Sequence, residues 1–293
     1  MLADPPERPP IADAPLSVVL LARTGAVDLE AVVQAWLAWL NQRPGESEVL
    51  LVVEGLDAPP ISLADPRLRI IDQVAPSGIG PSLQTGVWLA KHPLLLTAPA
   101  DHQFQPADTQ RLFEQINKVD LVAGVRVHCP PPLWLRVLGF FKRIASLIFL
   151  GYFGEPRAAW FGWRGWGRRF RIRHVFGVRV ADAECPLRLY RKEVFARLPI
   201  QSRGSFAHVE VLAKTNHLGC MMAEAPVPWT PSPQEVDDPD WNADAKQLFR
   251  RPEFGMPLPP APPVVPAGDG SAPVLASNDA NKVEECRAPS DQQ

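Results

Sequence analysis

Leu16-Ser-Val-Val-Leu-Leu21 is an unbroken apolar run with β-branched residues, the pattern of a strand buried on both faces of a parallel sheet. Asp28 stands where a helix would begin, and Leu29, Val32, Val33, Trp36, Leu37 and Leu40 recur at helical spacing to form one inward face. Glu48–Val53 and Leu68–Ile71 read as the next two strands. A glycine-containing turn then leads into a helix from Pro81 to Lys91, with proline in its first turn. Leu94–Thr97 is a fourth strand, Asp108–Asn117 an amphipathic helix and Asp120–Ala123 a fifth strand. Further on, Leu187–Tyr190 and Cys220–Glu224 read as strands, and Lys192–Leu198 and Phe206–His217 as helices, the last stopped by Gly219. Strands alternating with helices in this way form a doubly wound α/β sheet, whose ligands bind beyond the carboxyl ends of the strands.

The rest of the composition sets bounds on this core. Of 293 residues, 46% are hydrophobic and 21% charged, the proportions of a folded soluble domain. Prolines number 34, roughly 12% against a usual ~5%. Fourteen lie at the ends, from Pro5 to Pro15 and from Pro252 to Pro289, and proline joins neither helix nor sheet ladder well. Residues 1–14 and 232–293 are therefore expected to be flexible arms around a folded domain at 15–231. Cys129, Cys185, Cys220 and Cys286 form no CxxC pair, which argues for reduced thiols over a disulfide framework or zinc ribbon. Asp4, Glu7 and clustered prolines stand where a signal peptide needs a basic and then an apolar run.

Net charge is −2, which argues against a generally basic nucleic-acid binder. That total hides a separation. Between Arg126 and Val180 there are eleven Arg or Lys and one acid, Glu155, together with four of the nine tryptophans. Such asymmetry calls for a polyanionic partner, membrane or nucleic acid.

Leu133–Leu150 reads as an apolar helix interrupted by Arg136, Lys142 and Arg143. Those charges exclude a spanning helix and leave an interfacial or a buried one. Trp160, Trp163 and Trp166 follow, interleaved with Arg164, Arg168, Arg169, Arg171 and Arg173. An interfacial helix plus a polybasic patch is the two-signal anchor of a peripheral membrane protein. Trp134, Lys142, Arg143, Trp160, Trp163, Trp166, Arg168 and Arg169 are accordingly expected to meet an anionic membrane surface at its cytoplasmic face. Nucleic acid would leave the apolar helix without a role.

At the strand ends, Asp101 and Gln103 sit two apart on extended backbone, able to face one ligand such as a divalent cation bridging phosphates; Asp101 as a plain helix cap is the alternative. Gly78 and Gly80 could let backbone amides approach a diphosphate or simply make a turn. Arg126 could hold a phosphate.

In this order the segments resemble family 2 glycosyltransferases of the GT-A fold, in particular dolichyl- or polyprenyl-phosphate sugar synthases, over roughly residues 16–230. Leu20-Leu-Ala-Arg-Thr-Gly25 replaces that family's acidic nucleotide motif, putting Ala22 on the donor side, and Glu54-Gly55 stands in place of its aspartate pair. Ser77–Gly86 matches its glycine turn and helix, and Pro99-Ala-Asp101-His-Gln103 its metal motif, with proline for the first aspartate. Gly124-Val-Arg126 is similar to its Gly-Ser-Arg, Ala181–Arg191 to its acidic motif and following strand, and Ser202–Lys214 to a helix carrying a characteristic glutamate, here Glu210. Ala223–Trp229 fits its closing strand.

The resemblance implies a GT-A, Rossmann-like, mostly parallel sheet with flanking helices and an interfacial helical insertion at 133–173. It implies transfer of a hexose from a nucleoside-diphosphate sugar to a polyprenyl phosphate, with Asp101 and Arg126 catalytic and Asp101 and Gln103 on Mg²⁺ or Mn²⁺. It sets Ala22, Glu54, Gly78 and Gly80 at the donor, and Arg126, Asp182, Glu184, Arg188 and Glu210 at the sugar or acceptor. The alternative is a non-catalytic homologue that uses the fold as a membrane-associated binding module.

Overall fold

A computed structural model describes residues 11–23, 28–55, 62–73, 78–127, 163–231, 238 and 240–256. Seven strands form one sheet: β1 (Leu16–Ala22), β2 (Ser47–Glu54), β3 (Leu68–Gln73), β4 (Leu94–Pro99), β5 (Leu121–Val127), β6 (Arg188–Arg191) and β7 (Met222–Pro228), in the order β3-β2-β1-β4-β6-β5-β7. All neighbours pair in parallel except β6, which runs antiparallel to both β4 and β5. Hydrophobic patterning places a strand but carries no direction, so this reversal was not visible in the sequence. It has a consequence for the site, because residues entering β6 lie at the same edge as the carboxyl ends of β4, β5 and β7.

The helices follow the expected apolar stripes. On α1 (Leu29–Leu40), the Asp28 side chain accepts the Ala31 amide and all six expected residues are buried, the cap satisfying one otherwise orphaned donor. The others are α2 (Ile79–Leu89), α3 (Gln110–Ile116, entered through a 3₁₀ turn at Pro106–Thr109), α4 (Trp163–His174) and α5 (Ala207–His217). Lys192–Arg197 is 3₁₀ rather than α. Alternation along β1 splits the core: Val18 and Leu20 face α1 and α3, while Val19 faces α2 and α5. At the sheet's edge, β7 carries Pro226 and Pro228, where a missing amide costs no ladder bond.

The folded part extends past the expected boundary at 231. A further helix, α6 (Trp241–Arg250), buries Trp241, Ala245 and Leu248 against the second face. Their i, i+4, i+7 spacing is a helical signal that the prolines on either side obscured. Residues 133–162 lie outside the described residues, and among those described no helix is long and apolar enough to cross a membrane.

Candidate functional site

The carboxyl edge of β4, β5 and β7 carries a connected polar network. β4 ends at Pro99, and the backbone turns through His102 at φ 58, which lets Asp101 and Gln103 meet. The Gln103 side-chain amide donates to Asp101 Oδ2 at 2.5 Å and accepts from Trp229 Nε1 at 2.9 Å. An indole nitrogen can only donate, so the orientation of the glutamine amide is settled. The Trp229 ring lies 5.2 Å from the guanidinium of Arg126, a cation–π contact. Arg126 in turn grips Asp182, Nε to Oδ2 at 2.9 Å and Nη2 to Oδ1 at 3.2 Å, in the two-pronged geometry that makes arginine–carboxylate pairs strong. Five residues from four segments thus form one chain: Asp101, Gln103, Trp229, Arg126, Asp182. Trp229 was not among the expected site residues; its place directly after the last strand was the only hint.

Arg126 is therefore not an open phosphate receptor. Its side chain and that of Asp182 are 5% and 3% exposed, so a ligand anion has to compete with a carboxylate already in place. Beside them Glu184 accepts the Trp241 indole N–H at 2.8 Å, and burial pushes its carboxyl up to about 7 against the pull of Arg168.

On the donor side, Ala22 ends β1, buried beside Val53 of β2. Glu54 ends β2 and its Oε1 takes the Gly78 amide at 2.5 Å. The Gly80 amide donates to the Arg203 carbonyl. A side chain on Gly78 would meet the Arg203 carbonyl oxygen at 2.3 Å, and one on Gly80 the Ser202 carbonyl oxygen at 1.7 Å. Glycine here makes room for the 202–203 backbone, and both amides expected to cradle a diphosphate are engaged by the protein.

Two expected acceptor-side residues serve the scaffold instead. Arg188 is wholly buried, its guanidinium donating to the carbonyls of Cys185, Ala183 and His208. Glu210 accepts the amides of Gln201 and Ser202 and pairs with Lys214 at 2.6 Å. Of the expected membrane-facing set, Trp134, Lys142, Arg143 and Trp160 lie outside the described residues. Trp163 and Trp166 are placed by backbone in α4, with Arg168 and Arg169 one turn on.

A hard divalent cation needs several oxygen ligands. Asp101 supplies one carboxylate, Gln103 turns its N–H toward that carboxylate, and Pro99 has no side-chain oxygen. Among the described residues no three His, Cys, Asp or Glu gather to hold a metal. The described residues do not by themselves build a Mg²⁺ or Mn²⁺ site.

Glu184 gives a pH signature. Folded, it keeps its proton up to about 7; unfolded, a glutamate titrates near 4.3. The folded state binds the extra proton between those values, so this group's contribution to stability falls as pH rises through that window. His208 works oppositely: burial pulls it down to about 3, so stability falls as pH drops below the ordinary histidine value near 6.5. Glu184→Gln keeps an acceptor for Trp241 and removes only the first effect. Its stability relative to the natural chain is expected to rise between pH 5 and pH 8 in urea unfolding; a constant difference would show that Glu184 titrates normally.

No family model and no curated protein matches the sequence. Among solved structures, mannosyl-3-phosphoglycerate synthase from Rubrobacter xylanophilus is similar at a TM-score of 0.52 and 12% identity, covering 81% of this chain and 72% of that one. Glucosyl-3-phosphoglycerate synthase from Mycobacterium tuberculosis with uridine diphosphate has a TM-score of 0.52 and 14% identity, covering 81% and 78%. The same enzyme with Mn²⁺, uridine diphosphate and glucosyl-3-phosphoglycerate scores 0.51 at 14% identity, with the same coverage. At such identities the likeness establishes the fold, a GT-A-type mixed α/β sheet.

Proposed function

We propose that this chain is a glycosyltransferase that moves a hexose from a nucleoside-diphosphate sugar to a phosphorylated acceptor, and that the acceptor is a polyprenyl phosphate at a membrane surface. The observation that carries the reading is the network from Asp101 to Asp182 at the carboxyl edge, where sheets of this kind bind ligands. The similar solved structures are named mannosyl- or glucosyl-3-phosphoglycerate synthase, and several of them contain uridine diphosphate, some with phosphoglyceric acid. The basic, tryptophan-bearing run from Arg126 to Val180 favours a lipid-borne phosphate over a free one.

A phosphate acceptor is an anion at neutral pH and needs no strong general base. One of its oxygens attacks the sugar's C1 as the bond from C1 to the nucleoside diphosphate breaks, and the diphosphate leaves with the electron pair. The protein's part is to hold the two ends in line, with Asp101 placed to accept a hydroxyl of the donor and Arg126 reaching the acceptor phosphate in competition with Asp182.

A second reading has its own support. Pro99 and the engaged amides of Gly78 and Gly80 remove donor-side groups, which suits a module that binds at membranes without catalysis. Titration calorimetry with uridine and guanosine diphosphates and their hexose conjugates separates the two. Saturable binding that weakens at least about tenfold in Asp101→Ala (~1.4 kcal/mol), with hexose transfer to polyprenyl phosphate in vesicles, is expected. Absence of binding by every nucleotide sinks the transferase. Transfer to 3-phosphoglycerate but not to the lipid overturns the proposed acceptor.

A further inference from the structure

Helix α6 is attached to the body by its apolar face, by α4, and by two loops of the candidate site, 182–184 and 201–205. Trp241, fully buried, lies under two guanidiniums of α4, Arg168 at 5.0 Å and Arg171 at 4.7 Å from its ring. Its indole N–H reaches Glu184, and the neighbouring Asn242 accepts from Arg171 Nη2 at 2.9 Å. Just before and within α6, Asp238 accepts the Ser205 amide, and Asp244 accepts the amides of Arg203 and Gly204 at 3.0 and 2.8 Å. At its far end the Arg251 carbonyl accepts from Gln201 Nε2, and the Glu253 amide donates to Gln201 Oε1. The segment therefore spans the 182–184 loop beside Arg126 and the 201–205 loop beside Gly78 and Gly80.

The charges at its two contacts are opposite in kind. The α4 side presents Arg168, Arg169, Arg171 and Arg173 with no acid in the helix. The start of α6 gathers Asp238, Asp240 and Asp244, close enough that each of the first two raises the carboxyl of the third, in addition to the larger effect of burial. An anionic surface attracts the first group and repels the second. The guanidiniums that cover Trp241 are the same groups that lipid phosphates would bind.

We propose that α6 is a latch over the acceptor side of the site, held shut in solution by Arg168 and Arg171 on Trp241 and released when an anionic lipid surface takes those two arginines. Release frees the Ser205, Arg203 and Gly204 amides from Asp238 and Asp244, and the Glu184 carboxyl from Trp241. The site then opens where a lipid-borne acceptor would be delivered. This rests on the membrane part of the function proposed above.

Hydrogen exchange of the full chain, read by mass spectrometry over 238–251, tests it. Samples contain no vesicles, phosphatidylcholine vesicles, or vesicles with about one third phosphatidylglycerol, and the bound fraction is measured by sedimentation in each. Saturating anionic vesicles are expected to speed exchange in α6 on the order of tenfold, as for a locally opened segment, with β1 and β4 unchanged and neutral vesicles without effect. The double variant Arg168→Gln, Arg171→Gln is expected to show the fast α6 exchange in solution, β1 and β4 again reporting an intact fold.

Binding to anionic vesicles with α6 exchange unchanged or slowed overturns the latch and leaves the membrane reading standing. No binding to anionic vesicles removes the membrane reading and the proposed trigger together. Slow α6 exchange in a folded double variant overturns the role of the two arginines whatever the membrane does.

Discussion

Arg126→Met is expected to lower stability by about 3–5 kcal/mol, the usual effect of stripping one partner from a buried ion pair. The reason is local. Asp182 is nearly inaccessible and receives both prongs of the guanidinium along with the Arg126 backbone amide. Methionine fills similar volume but removes both guanidinium bonds from the carboxylate. The carboxylate must then stay charged with less compensation or take up a proton. For a folded core of this size the loss corresponds to a fall in melting temperature of roughly 10 °C. Removing both charges, in Arg126→Met with Asp182→Leu, is expected to recover much of the loss, because replacing a whole buried pair with apolar groups is often near neutral. Thermal unfolding of the two single variants and the double variant forms the cycle. A single variant within about 1 kcal/mol of the natural chain would mean that the pair is solvated. If Arg126 also serves the acceptor, the double variant regains stability without regaining transfer.

Glu210→Ala is expected to cost a similar amount, about 3–5 kcal/mol, for a reason that the resemblance does not supply. Glu210 is fully buried on α5 and holds the Gln201 and Ser202 amides and the Ser202 hydroxyl as well as Lys214. Alanine leaves the buried Ser202 amide and the partly buried Gln201 amide short of an acceptor, at about 1–3 kcal/mol for the buried one and less for the other, which water can reach. It also leaves Lys214 buried beside a cavity. Burial already pulls Lys214 below the usual lysine range, with Glu210 opposing, so in the variant Lys214 is expected to lose its proton more readily, which limits the total. Glu210→Gln keeps one acceptor oxygen, enough for the Gln201 or the Ser202 amide but not for both, which bind different carboxylate oxygens. It also removes the ion pair, and is expected to fall between the natural chain and the alanine variant. Denaturant unfolding of the three proteins measures the order. If glutamine and alanine are equally destabilising, one retained acceptor is worth little; if glutamine is harmless, neither the ion pair nor the second amide bond contributes much.

The two residues show different degrees of legibility. Both were singled out in the sequence, Arg126 from its place after a strand and Glu210 from the family resemblance of its helix. Their partners were not: Asp182 lies 56 positions from Arg126, across the basic insertion, and nothing in local pattern ties them. The Gly78–Gly80 turn was equally visible as a turn. Its contact, the backbone at 202–203, came from a segment over a hundred residues away, and with it the reason for glycine.

Local pattern alone determined the strands β1 to β5, the inward face and cap of α1, and the expectation of ligands at the carboxyl edge. These follow from burial periodicity and turn chemistry, which act between near neighbours. Only the tertiary structure decided the reversal of β6, the attachment of α6 by Trp241, and the engagement of Arg126, Gly78, Gly80 and Glu210 by distant groups. A side chain's chemistry is written in its type, but whether a charge or an amide stays open to a ligand depends on which remote group folding brings beside it.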